Sequence, residues 1–147
     1  MIFVRNGFFK DGKFKFDLIF PPEYPTKPPR VIFKVRIFHP LVEQRTGEVD
    51  LKVLLNEEWN YLKDNMLYSV LSNIKSMFSE CSLFETHSSF NPEAAVVFQE
   101  RPQLFVERSL RSVEESIDQF YQNEPGTSLI IKKYGKEELE PIREKVQ

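Results

Sequence analysis

From Lys13 to Phe20 the chain alternates. Phe14, Phe16, Leu18 and Phe20 are interleaved with Lys13, Lys15, Asp17 and Ile19. A period of two is the mark of a strand with one buried face. Ile2–Phe9 is also rich in apolar residues, and Asp11-Gly12 separates the two runs. That dipeptide predicts a two-residue hairpin turn of type I′. Five prolines then fall within Phe20–Pro29, which excludes helix and central strand and predicts a stiff connection. Val31, Phe33, Val35 and Ile37 share the next period-two face. Three strands with short connections predict an antiparallel meander.

Past Pro40 no period persists until about Tyr61, and irregular segments of this length are usually functional. From Asp64 the spacing becomes helical: Met66, Leu67, Val70, Leu71, Ile74, Met77 and Phe78 fall on one face. Asn91 and Pro92 supply the N-cap and first position of a second helix, which Pro102 breaks or restarts. Val106, Leu110, Val113, Ile117 and Phe120 mark a long amphipathic helix that Pro125-Gly126 stops. Strands followed by helices predict an α+β domain over 1–124. Residues 125–147 form a highly charged extension, read either as a frayed helix or as a partner-binding segment. Because the sequence opens inside a Phe-rich strand at Ile2, the expectation is that this domain is N-terminally incomplete.

Composition narrows the class. The chain has 147 residues, one domain's length, with 41% hydrophobic residues and 14 Phe. Twenty Lys and Arg against 22 Asp and Glu leave a net charge of -2. No overall basic field favours nucleic acid or an anionic membrane, and acidic residues near Glu43 and Glu57 dilute the basic stretch Lys27–Arg36. The single cysteine, Cys81, forbids an intrachain disulfide and fits a reducing, cytoplasmic setting. No apolar run approaches the roughly 20 residues of a spanning helix, and no signal peptide is recognisable.

Candidate chemistry is sparse. His39 and His87 are the only histidines and lack neighbours at metal-ligand spacing. Gly7, Gly12 and Gly47 form no phosphate-cradling loop. Neither metal nor cofactor is expected. Cys81 follows a helical stretch and adjoins Glu80, the opposite of what activates a thiolate; a buried small apolar side chain is the plainer reading. His39 has only Thr46 and Asp50 nearby as nucleophiles for a base to serve, so a structural histidine bonding loop backbone is expected. Asp50 as a carboxylate nucleophile would need a paired acid. Glu43, Glu48, Glu57 and Glu58 are available, but nothing in their spacing selects one. The plainer reading is an Asp that stabilises a turn through its own side chain.

Together, "GKFKFDLIFPPEYPTKPPRVIF", "FHP" and a later Trp resemble the ubiquitin-conjugating (E2) family. Phe20, Pro21, Tyr24, Pro25, Pro28 and Pro29 match its proline run. His39 and Pro40 match the start of its His-Pro-Asn motif. Gly47, Val49 and Leu51 match the frame around its nucleophile, and Trp59 matches its Trp. "NPEAAVVFQ" matches the start of a late helix. The resemblance covers roughly residues 7–120 and implies a UBC-like fold, an antiparallel meander packed against helices. The family's N-terminal helix and first strand find no counterpart in this sequence.

Two departures bear on activity. The family's nucleophilic cysteine falls on Asp50 and its oxyanion-stabilising Asn on Leu41. A carboxylate would have to carry ubiquitin as a mixed anhydride. Loss of one oxyanion donor alone costs on the order of 10²–10³ in rate. The resemblance therefore implies no catalytic residues. "FHPLV", "GEVDLK" and "NPEAAV" resemble one inactive branch, the fused-toes type. That implies a scaffold joining a Hook-family coiled-coil adaptor and an FHIP-type protein in dynein-linked endosomal transport. AKT kinase is a further candidate partner, ubiquitin ranks below these, and membranes are met only through partners. The alternatives are a ubiquitin-binding variant, serving another conjugating enzyme or a sorting complex, and a residual enzyme using Asp50 or Cys81. Candidate partner surfaces are the tail from Lys132, the exposed positions Arg108, Arg111 and Glu115, and the loop Pro21–Pro29.

Overall fold

A computed structural model describes residues 1–63, 66–86 and 88–122. Strand β1 (Ile2–Phe3) pairs antiparallel with β2 (Lys13–Phe14), and β3 (Phe16–Ile19) with β4 (Arg30–Phe33). The predicted meander is present but broken at Lys15 into two two-stranded sheets. The Lys34 N–H donates to the Lys15 carbonyl at 3.0 Å and bridges the break.

The hairpin turn differs from the two-residue prediction. Val4 faces both Asp11 and Gly12: its N–H donates to the Gly12 carbonyl, and its carbonyl accepts from the Asp11 N–H. This is a bulge, and Asp11 (φ 70°) rather than Gly12 takes the left-handed conformation. Gly12 is required for space, because a Cβ there would meet the Phe14 ring and the Phe9 carbonyl. The loop is wide because Phe9 is drawn fully into the core, where its ring meets Phe14, Phe78, Phe84 and Phe105. Burying that ring outweighs the local preference for a tight turn.

The segment after Pro40 is more ordered than its lack of period suggests. It folds back beside β4 through the bridge Ile32↔Glu48 and closes on itself through Val42↔Val49. The Phe33 N–H donates to the Gly47 carbonyl at 2.8 Å. Gly47 has φ 77°, and a Cβ would collide with the Phe33 carbonyl. Helix α1 (Leu51–Leu55) follows at once. One-turn helices escape periodicity analysis, since a single turn cannot show a repeat.

Helix α2 (Met66–Ser76) buries Met66, Val70 and Ile74, and Met77 and Phe78 continue that face beyond its end, while Leu71 is exposed. The short α3 (Cys81–Phe84) buries Phe84. Helix α4 (Pro92–Glu100) starts at the Asn91 cap, whose side chain accepts from the Ala94 N–H. Arg101 separates it from α5 (Pro102–Phe120).

The inward face of α5 matches the predicted one only in part: Val113 is buried and Ile117 packs against the core. Phe105, Ser109, Ser112, Val113 and Ser116 are buried, while Val106 and Leu110 are 38% and 52% exposed. Small serines let the helix approach closely and satisfy backbone donors: Lys13 N–H on Ser116 Oγ and Phe38 N–H on Ser112 Oγ, both 3.0 Å. Helix α5 ends at Phe120. Pro125-Gly126 and the charged extension lie outside the described residues, as does His87. At the centre Phe14 stacks on Phe78, with ring centroids 4.8 Å apart. No described helix is long and apolar enough to cross a membrane.

Candidate functional site

His39, Leu41 and Asp50 meet where the chain leaves the sheet and enters α1. The Asp50 N–H donates to the Leu41 carbonyl at 2.8 Å, and the Leu41 N–H donates to His39 Nδ1 at 3.1 Å. Since Nδ1 accepts, the ring carries its proton on Nε2, which lies 2.9 Å from the Met77 carbonyl. The imidazole is fully buried, and that burial pushes its pKa down to about 4, against the Met77 carbonyl that favours the charged form. His39 is thus neutral with both nitrogens occupied, holding α2's end to the loop. Its carbonyl accepts from Asn91 Nδ2 at 3.2 Å, so the same residue also fixes the start of α4.

Asp50 is equally committed. Oδ1 caps α1 by accepting from the Val53 N–H at 3.3 Å. Oδ2 accepts from the Ser88 hydroxyl at 2.6 Å, and that contact is buried. Ser88 Oγ in turn accepts from the Phe90 N–H at 3.1 Å. The Leu41 side chain is wholly buried in the core and offers no polar group.

The other acids do not join Asp50. Glu43 accepts from the Thr46 N–H and hydroxyl, which hold its carboxyl below the usual range. Glu48 makes a bidentate pair with Arg30, and Glu57 pairs with Lys63. Glu58 is exposed. Among the described residues no three His, Cys, Asp or Glu side chains gather as a metal site.

Cys81 departs from its expected burial. It is exposed and begins α3. Met77 and Phe78 take the inward positions at the end of α2, and the turn at Ser79–Glu80 then carries Cys81 outward.

The proline run packs on Trp59. Trp59 Nε1 donates to the Pro25 carbonyl at 2.7 Å, Tyr24 lies beside the indole, and Phe20 meets Tyr24 edge-on at 4.7 Å. Tyr24-Pro25 is a cis peptide. Pro29 and Pro40 are buried, Pro21 is half-buried and Pro28 is exposed. Pro28 and Trp59 also line a hollow of about 360 Å³ with Leu51 and Leu55.

The sequence profile of the family described as ubiquitin-conjugating enzyme matches residues 1–113. This chain belongs to the ubiquitin-conjugating enzyme family. Its α+β architecture is accordingly UBC-like. A ubiquitin-conjugating enzyme domain from Toxoplasma gondii superposes with a TM-score of 0.58 and 29% identity, covering 73% of this chain and 70% of that one. A counterpart from Plasmodium yoelii, described as a putative ubiquitin-conjugating enzyme, gives 0.57 and 27%, covering 74% and 68%. Among curated proteins, AKT-interacting protein from Xenopus tropicalis is 37% identical over 115 residues, and that from Homo sapiens 36%. These matches cover 78% of this chain and 38% of each relative, so the chain spans little more than a third of their length.

Within this ubiquitin-conjugating enzyme domain, Ser88 is the functional-site residue that sequence reasoning missed. It lies 38 positions from Asp50, and nothing local announces such a contact. Ser112 and Ser116 escaped for a related reason: periodicity analysis counts serine as polar and places it outside.

Proposed function

We propose that this chain is a non-catalytic ubiquitin-conjugating-enzyme-like scaffold domain. In this reading Asp50 stands at the family's cysteine position and Leu41 at the oxyanion Asn. The observation that carries it is the state of the Asp50 carboxylate: one oxygen caps α1 and the other accepts from buried Ser88. An acyl group on either oxygen would displace the contact that oxygen accepts and leave a mixed anhydride, a poor carrier compared with a thioester. The buried apolar Leu41 supplies no side-chain donor for a developing oxyanion.

The finer proposal is a fused-toes-type subunit, acting in the cytoplasm with a Hook-family coiled-coil adaptor and an FHIP-type protein in dynein-linked endosomal transport. It rests on the motif resemblance and on relatives named AKT-interacting protein, whose name makes AKT kinase a further candidate. A pull-down of the full-length protein against a Hook C-terminal segment, an FHIP-type protein and AKT tests it. Retention of Hook and FHIP supports the assignment, and loss of both sinks it. Titration with labelled ubiquitin separates the alternative: saturable shifts at sub-millimolar ubiquitin would favour a ubiquitin-binding variant.

A further inference from the structure

A trough runs along one face of α5, away from Asp50. Its floor and one wall come from Arg108, Arg111, Glu115 and Gln119, which follow one another at helical spacing, and the opposite wall from Arg36 and Arg45. Two adjoining hollows of about 400 and 380 Å³ share Arg36, Gln44, Arg45 and Glu115. At about 1.5 Å per helical residue this face is roughly 16 Å long, matching about five residues of extended peptide.

The charge here is locally unbalanced. Lys27, Arg30 and Lys63 elsewhere each sit in an ion pair, as do Arg108 with Glu93 and Lys34 with Asp17 at the trough. Arg36 and Arg111 are exposed and have no ion pair among the described residues. Arg45 is also exposed; after the larger contribution of the Thr46 hydrogen bonds, its backbone N–H and its charge help hold Glu43 ionised. Arg108 is held in place, lying 4.7 Å over the Phe38 ring and donating to Glu93 at 2.9 Å. A planar guanidinium so fixed presents its remaining donors as a fork suited to a carboxylate. In a chain with 22 acidic and 20 basic residues, Arg36, Arg45 and Arg111 around one concavity, beside Arg108 paired with Glu93 and the single lining acid Glu115, make a locally positive site.

We propose that this arginine trough docks an acidic segment, rich in Asp and Glu, of a protein partner. Carboxylates spaced along an extended chain fit the alternation of Arg36, Arg45, Arg108 and Arg111 around the single acid Glu115, which disfavours an unbroken polyphosphate. A nucleic acid would call for a continuous basic stripe, and a flat anionic membrane cannot enter a concavity. The inference stands whichever adaptor the scaffold serves.

Fluorescence anisotropy with the full chain and a short fluorescein-labelled Asp/Glu-rich peptide tests it. Saturable binding is expected, weaker at high salt and absent for the matched Asn/Gln peptide. Arg36→Glu and Arg111→Glu should each weaken it at least roughly tenfold, as loss of a charge-assisted hydrogen bond implies. Arg36→Gln and Arg111→Gln should move it in the same direction, at an unchanged unfolding midpoint. Arg5→Glu, outside the trough, should leave it unaltered. No saturable binding would overturn the proposal, as would an Arg5→Glu effect as large as that of Arg111→Glu. Tighter binding of a single-stranded oligonucleotide, or binding of a phosphoserine peptide while the Asp/Glu peptide is silent, would equally overturn it.

Discussion

His39 and Asp50 both have every polar atom of their side chains engaged, and each engagement has a measurable consequence. The folded-state pKa of His39 lies near 4 against an ordinary 6.5. Below pH 6.5 the unfolded chain takes up a proton that the folded chain refuses. Stability is therefore full above about pH 6.5 and falls as the pH drops towards 4, by on the order of 3 kcal/mol in all. Urea unfolding across this range should show that loss, and His39→Gln, which does not titrate, should flatten it. For Asp50, replacement by Ala removes the α1 cap and strands the Ser88 hydroxyl, at a cost of about 1–3 kcal/mol. Asp50→Asn should fall between wild type and Ala, since Asn caps well but its amide nitrogen cannot accept from Ser88. A stability loss for Asn equal to that for Ala would contradict this account of the carboxylate. The turn-stabilising role of Asp50 was legible because capping is local. Its bond to Ser88 was not, because that contact spans distant parts of the chain.

At the scale of elements, sequence period served the strands and α2 better than α5. Val31, Phe33, Val35 and Ile37 alternate and are all buried. On α5 the apolar period pointed to Val106, Leu110, Val113, Ile117 and Phe120. Val113 is buried, but Val106 and Leu110 are exposed and serines face inward, because the helix lies close enough to the Lys13 and Phe38 backbone to accept their N–H groups. Ser112→Ala should leave the Phe38 N–H without its partner, and Ser116→Ala the Lys13 N–H. Each should cost about 1–3 kcal/mol in chemical denaturation. Leu110→Ser, on the outward face, should stay within about 0.5 kcal/mol of wild type. The hairpin bulge teaches the same lesson: Asp11-Gly12 marked a turn region, but the pull of Phe9 into the core decided its shape.

For the whole molecule, the proline run, the His-Pro pair and Trp59 were enough to indicate the ubiquitin-conjugating fold. In space the proline run is fastened to Trp59 through the Pro25 carbonyl, and His39 separately fastens the loop to the end of α2. Partner surfaces were far less legible. The trough depends on Arg36 and Arg45 meeting α5 in space, and the charged extension lies outside the described residues. The central claim is that the fold here serves binding without acyl transfer. Incubation of the chain with ubiquitin-activating enzyme, ATP and ubiquitin, followed by a non-reducing gel, tests it most directly. The account predicts no thiol-sensitive adduct on the wild-type chain, and charging of Asp50→Cys that is slower by on the order of 10²–10³ than with an oxyanion donor in place, because Leu41 provides none. A thiol-sensitive ubiquitin adduct on the wild-type chain that disappears in Cys81→Ala would contradict it.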